Sequence, residues 1–210
     1  TLRGIVGGKR VGIIGNSQDL VRVAADADIE VLVRLNAFKL LDRDAQLGSA
    51  NVPVVVYMNS TQSVRLAHEL GSKSPASAAL MSCASLIAVR GGHPQLVGGT
   101  ICHPLSRPPI HDHGPVIGSQ AVFDCLLAGA EKVKLFGFDF NQSSLIGELP
   151  WEMCRKLGDQ GMLNQFEFMH RLWSTGLLEA DPVGTAVLEL GADRYAALLE
   201  DRYGDWSVRA

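Results

Sequence analysis

Four polar clusters in this chain have residue types suited to binding or transferring a group. Gly15-Asn16-Ser17 follows an apolar run at residues 11–14, Asn36 closes a second run at residues 29–35, and Asn59 closes a third at residues 52–58. Amides and hydroxyls at such ends can donate to phosphate or sugar oxygens. The fourth cluster is His111-Asp112-His113, inside a stretch rich in Gly, Pro and His from residue 91 to 114. An imidazole titrates near neutrality and can act as a general base. The His-x-His spacing would also suit zinc, but no further His or Cys cluster completes a site, so no metal is expected. Each cluster has a plainer reading as well: Asn and Ser beside Gly are ordinary turn and cap residues, and His-Asp-His beside Gly and Pro is an ordinary solvated loop.

The elements that must position these residues follow from hydrophobic period and punctuation. Residues 11–14, the Gly15 turn, a short helix from residue 18 and the run at 29–35 form the opening unit of a nucleotide-binding α/β domain. A helix after Asn36 stops at Gly48, a β-branched strand spans 52–58, and a helix capped by Ser60 or Thr61 runs to Gly71. Residues 74–90 read as helix first and strand last, at 86–89, and residues 91–114 as a long irregular loop. A helix at 117–128 ends at Gly129 and leads to a strand at 132–138. Helices at 152–157, 164–173 and 193–199 fill the last third. Gly4, Gly7 and Gly8 read as a flexible lead-in and not a phosphate loop, because Lys9 is followed by Arg10.

Strands alternating with helices imply an α/β fold with a doubly wound, mostly parallel, Rossmann-like sheet and a helical C-terminal third. The 210 residues fit one domain, 1–210. In such sheets ligands bind beyond the carboxyl ends of the strands, where Gly15, Asn16, Ser17, Asn36 and Asn59 would all lie.

Composition narrows the partners. A net charge of −3 with no basic block does not suggest nucleic acid or an anionic membrane. The longest apolar run, at residues 52–58, is far too short to span a bilayer. Cys83, Cys102, Cys125 and Cys154 show no CxxC pairing. Buried thiols are favoured over disulfides, which points to a reducing compartment, the cytoplasm. A dinucleotide is disfavoured too. The first turn is Gly12-Ile13-Ile14-Gly15-Asn16-Ser17 instead of GxGxxG, and the second strand ends on Asn36, not on an acid that would hold a ribose.

Three stretches taken together resemble the sialyltransferases of glycosyltransferase families 29 and 42. VGIIGNSQDL followed by VRLN resembles their large donor-binding motif. VVVYMNS resembles the next donor-contacting strand, with Asn59 at the matching place. GPVIGSQAVFDCLLAGAEKVKLFGFDF resembles their small motif, a Pro-x-x-Gly helix start before a strand ending in Gly-Phe-Asp. The resemblance covers roughly two thirds of the chain. It implies a GT-A-variant sialyltransferase type of fold, a CMP-activated acidic sugar as donor substrate with no separate cofactor, a glycan hydroxyl as acceptor, and a metal-independent transfer. Gly15, Asn16, Ser17, Asn36, Asn59, Gly118 and Ser119 would then form the donor site. Association with the periphery of a membrane stays open, as does the oligomeric state.

Two departures bear on chemistry. The family's small motif carries hydroxyls before its glycine, whereas this chain has Pro115-Val116-Ile117-Gly118, leaving Ser119 as the nearest hydroxyl. In the family a histidine precedes an acidic residue by five positions near the start of a helix and is taken as the base. Here Glu167 stands in the acidic place and Met162 in the histidine's. The candidates to replace it are His111 and His113 first, then His170, which could pair with Glu167 at i, i+3, and Asp159. A fold of this type that binds nucleotide or glycan without transfer is the rival reading. An enzyme resembling the pterin-diphosphokinase-like group, which would require ATP and Mg²⁺, is a weaker third.

Overall fold

The computed structural model describes residues 1–15, 28–35, 52–59, 84–89, 101–102, 107–110, 115–140 and 161–203. Seven parallel strands form one sheet: β1 (Arg10–Ile14), β2 (Val31–Leu35), β3 (Val54–Met58), β4 (Leu86–Val89), β5 (Ile101–Cys102), β6 (Lys132–Phe136) and β7 (Leu178–Ala180). Their spatial order is β5-β4-β3-β2-β1-β6-β7. The chain winds outward from β1 in one direction and then crosses back to place β6 on its other side. The crevice where the winding reverses, between β1 and β6, is the usual ligand position of such sheets.

The strand sequences explain why the sheet is parallel and interior. VLVRL in β2 and VVVYM in β3 are buried at every position. Unbroken burial is what a strand covered on both faces requires. One face carries Val11, Ile13, Val31, Val33, Leu35, Val55, Tyr57, Val133 and Leu135 in a common core. The alternate residues, among them Ile14, Leu32, Val56, Met58 and Phe136, are also buried, so the second face is covered as well.

Helices α1 (Leu2–Val6), α2 (Ile117–Leu127) and α3 (Met162–Ser174) join the first face. Residues 1–7 are therefore not a flexible lead-in. Thr1 caps α1 by accepting from the Gly4 N–H at 3.3 Å, and Leu2 and Val6 are buried. Beyond α3 come α4 (Pro182–Leu188) and α5 (Gly191–Tyr203). The last third was expected to be helical, and its described part adds a strand, β7, between α3 and α4. β5 likewise falls within the stretch read as irregular, 91–114. Both strands are two or three residues long, too short to show a period of two.

Because the chain runs from α2 directly into β6 and from α3 into β7, both helices are antiparallel to the strands. Their N-termini stand at the carboxyl edge of the sheet. At the opposite edge the Gly8 N–H donates to the Gly129 carbonyl at 2.7 Å, fixing the end of α2 against the start of β1.

Candidate functional site

The carboxyl edge between β1 and β6 is built around one aromatic ring. The Gly15 N–H donates to the Phe136 carbonyl at 2.8 Å, which brings the two strand ends together. A Cβ on Gly15 would lie 2.5 Å from the Gly137 oxygen and 2.9 Å from Cδ2 of Phe138. A Cβ on Gly118, in the first turn of α2, would lie 3.0 Å from Cε1 of the same ring. The Phe138 side chain thus fits between two glycines that have no side chain to oppose it. The space beside the Gly118 Cα is taken by the Phe138 ring.

The Gly-Phe-Asp turn after β6 is held from below. Gly137 is in the left-handed region, φ +64°, and its N–H donates to Asp181 Oδ2 at 2.8 Å. Asp181 Oδ1 accepts from the Gly184 N–H at 2.8 Å, so one buried carboxylate caps α4 and clamps the turn. Gly137 and Asp139 were read as residues that end a strand. β6 does stop at Phe136, and Asp139 is 5% exposed.

Asp181 drew no attention in the sequence, although Asp before Pro is an N-cap signature. Its reach across to Gly137 has no local signal at all. Phe140 follows with φ +50°, its carbonyl accepting from the Tyr195 hydroxyl at 2.9 Å. Its ring meets Phe166 edge-on, and Phe166 stacks on Tyr195 at 4.0 Å between centroids.

Arg34 is the residue that the sequence displayed and that drew no role. It is the one charge in an otherwise apolar strand, and it is 4% exposed. Its Nη1 donates to the carbonyls of Ile14 at 3.3 Å, Gly15 at 3.0 Å and Leu35 at 2.9 Å. The guanidinium therefore joins the carboxyl ends of β1 and β2. On the other face the Tyr57 hydroxyl donates to Asp124 Oδ2, and Gln120 Nε2 donates to Asp124 Oδ1 at 3.0 Å. All three are buried, and they lock the end of β3 to the first turns of α2.

Asn59 lies one residue beyond β3, half-buried, and its side-chain amide meets no partner among the described residues. Ser119 is 1% exposed, so a ligand reaches its hydroxyl only by displacing what covers it. The α2 N-terminus has no side-chain cap on its own chain segment. Instead the Val116 N–H donates to Gln165 Oε1 of α3 at 3.2 Å. First-turn N–H groups lack intrahelical acceptors and carry the positive end of the helix dipole, so this end favours an anion.

Gly15, Gly118 and Asn59 thus share the carboxyl edge. Asn16, Ser17, Asn36, His111, His113 and Asp159 lie outside the described residues. Met162, in the place of the expected base, opens α3 at the same edge and is packed into the core, 7% exposed. His170 is further along α3, roughly 12 Å from Met162 at 1.5 Å per residue and towards the amino ends of the strands. Its ring lies between Phe166 and Trp173, with centroids at 5.9 and 5.6 Å. The expected pairing with Glu167 is not made: among the described residues neither side chain has an ionic partner, and the Glu167 carbonyl accepts from Arg171 Nε at 3.3 Å. The position and packing of His170 suit an aromatic cluster better than a proton transfer at the carboxyl edge.

Among the described residues no group of three or more His, Cys, Asp or Glu side chains converges, and no helix is long and apolar enough to cross a membrane. Cys125 is a buried thiol. No known protein family, characterised protein or solved structure matches the chain.

Proposed function

We propose that this chain is a sialyltransferase-like glycosyltransferase that binds a CMP-activated acidic sugar and passes the sugar to a glycan hydroxyl. The observation that carries the proposal is the switch point between β1 and β6. Gly15 and the start of α2 meet there, on the edge that also holds Asn59, and their order along the chain follows the large and small motifs of that family.

The chemistry asked of the site is stabilisation of a departing nucleotide phosphate. A helix N-terminus without a side-chain cap and the amide of Asn59 suit that need without a metal. The acceptor hydroxyl must also lose a proton, for which His111, His113 and Asp159 are the candidates. Calorimetric titration with CMP tests the binding half: no binding and no thermal stabilisation up to millimolar CMP ends this reading.

A second reading, nucleotide or glycan binding without transfer, is favoured by the packed Met162. Incubation with CMP-sialic acid or CMP-Kdo separates the two. Transfer to a glycan, or donor hydrolysis above background, rules out the second reading.

A further inference from the structure

The four residues after β6 form a turn that two helices hold from outside. At its start Gly137 gives its N–H to Asp181 Oδ2, at the head of α4. At its end the Phe140 carbonyl accepts from the Tyr195 hydroxyl of α5 at 2.9 Å. Both end residues lie in the left-handed region, Gly137 at φ +64° and Phe140 at φ +50°. Glycine enters that region freely, whereas a bulky residue is strained there. Among the described residues Phe140 is the one non-glycine with a positive φ. Such strain persists only where the surroundings over-determine the backbone. Here they are the buried Phe140 ring, set edge-on to Phe166, and the hydroxyl on the carbonyl. Ring and carbonyl together fix how Phe140 is oriented, so the chain before it must enter at this φ. Between the two anchors lies Phe138, half-buried, with one ring edge against Gly15 and the other against Gly118 at the β1–β6 switch point.

Resting on the nucleotide reading above, we propose that Tyr195 is a positioning residue for the ligand: its hydroxyl keeps Phe140 strained, and the strained turn keeps the Phe138 ring in place as a wall of the nucleotide crevice. Tyr195 is fully buried and stacks on Phe166, so it acts through the turn and not by contact with a ligand. Tyr195→Phe keeps that ring and removes the hydroxyl. Phe140 then relaxes to a negative φ, and the Phe138 ring leaves its place between the glycines. A role in packing alone gives a different result, a loss of stability with the crevice unchanged.

The experiment reads two signals on the full chain: CMP affinity by calorimetry, and the Hα chemical shifts of Gly15 and Gly118 by NMR without ligand. The ring current of Phe138 displaces both glycine signals, and Phe138→Leu marks their positions without it. In Tyr195→Phe both should move towards the Phe138→Leu positions. CMP should bind about fivefold or more weakly, the equivalent of one hydrogen bond lost from a preorganised site. A folded Tyr195→Phe that keeps either the wild-type shifts or the wild-type affinity overturns the proposal. A Tyr195→Phe chain that does not fold overturns it too, because the hydroxyl then serves the fold before the site. If the wild-type chain binds no CMP, the nucleotide reading fails, and the glycine shifts alone still decide whether Tyr195 holds Phe138.

Discussion

The Tyr57 phenol donates to the Asp124 carboxylate across the seam between β3 and α2, and each residue is 1% exposed. Gln120 completes the arrangement from the same helix. A carboxylate this deep is tolerable only while its oxygens are satisfied. Tyr57→Phe keeps the ring and removes the donor, so it should cost about 1–3 kcal/mol. A urea midpoint unchanged from wild type would show that the pair contributes nothing to stability.

The two glycines around Phe138 should respond differently to alanine. At Gly15 the nearest atom is a backbone oxygen, which cannot move without parting β1 from β6, and a loss of about 1–3 kcal/mol is expected. At Gly118 the nearest atom belongs to the Phe138 ring, which can give way. Combining each alanine with Phe138→Leu should relieve Gly118→Ala but not Gly15→Ala. Equal relief in thermal melts of the two double variants would contradict this geometry.

Asp181→Ala removes two charge-assisted hydrogen bonds at once, one capping α4 and one holding Gly137. The expected loss is about 2–4 kcal/mol. Amide exchange should show where it falls: Gly137 and Gly184 should lose protection together. Loss at Gly184 alone would mean that the β6 turn holds without the clamp.

His170→Gln tests the placement of that histidine along α3. Transfer or donor hydrolysis should stay within about twofold of wild type, because a general base usually contributes a hundredfold or more. A hundredfold fall in kcat with the fold intact would return His170 to the list of bases.

The sheet was legible where the strands are long and apolar. Residues 86–89 coincide with β4, and 11–14, 29–35, 52–58 and 132–138 each overlap a strand to within two residues at either end. The helices at 117–128 and 164–173 match α2 and α3 to within two residues at either end, and 193–199 lies inside α5 but stops four residues short of its end. The five-residue helix α1 and the two- and three-residue strands β5 and β7 were not legible, because they are too short for a period and owe their form to neighbours distant in sequence. The same limit governed the site. Gly15 and Gly118 could be singled out as glycines at element ends, but their shared contact with Phe138 is a tertiary fact. Arg34 was open to notice as a charge in an apolar strand, whereas the three carbonyls it gathers could be found only in three dimensions.

The placement of β6 beside β1 also has a consequence in time. The strand that closes the second edge of β1 leaves the ribosome roughly 120 residues after it. At ordinary synthesis rates that delay is of the order of ten seconds. During it, an apolar strand edge stands open to other nascent chains. Closing the sheet and forming the β1–β6 crevice are one late event in the life of each new molecule.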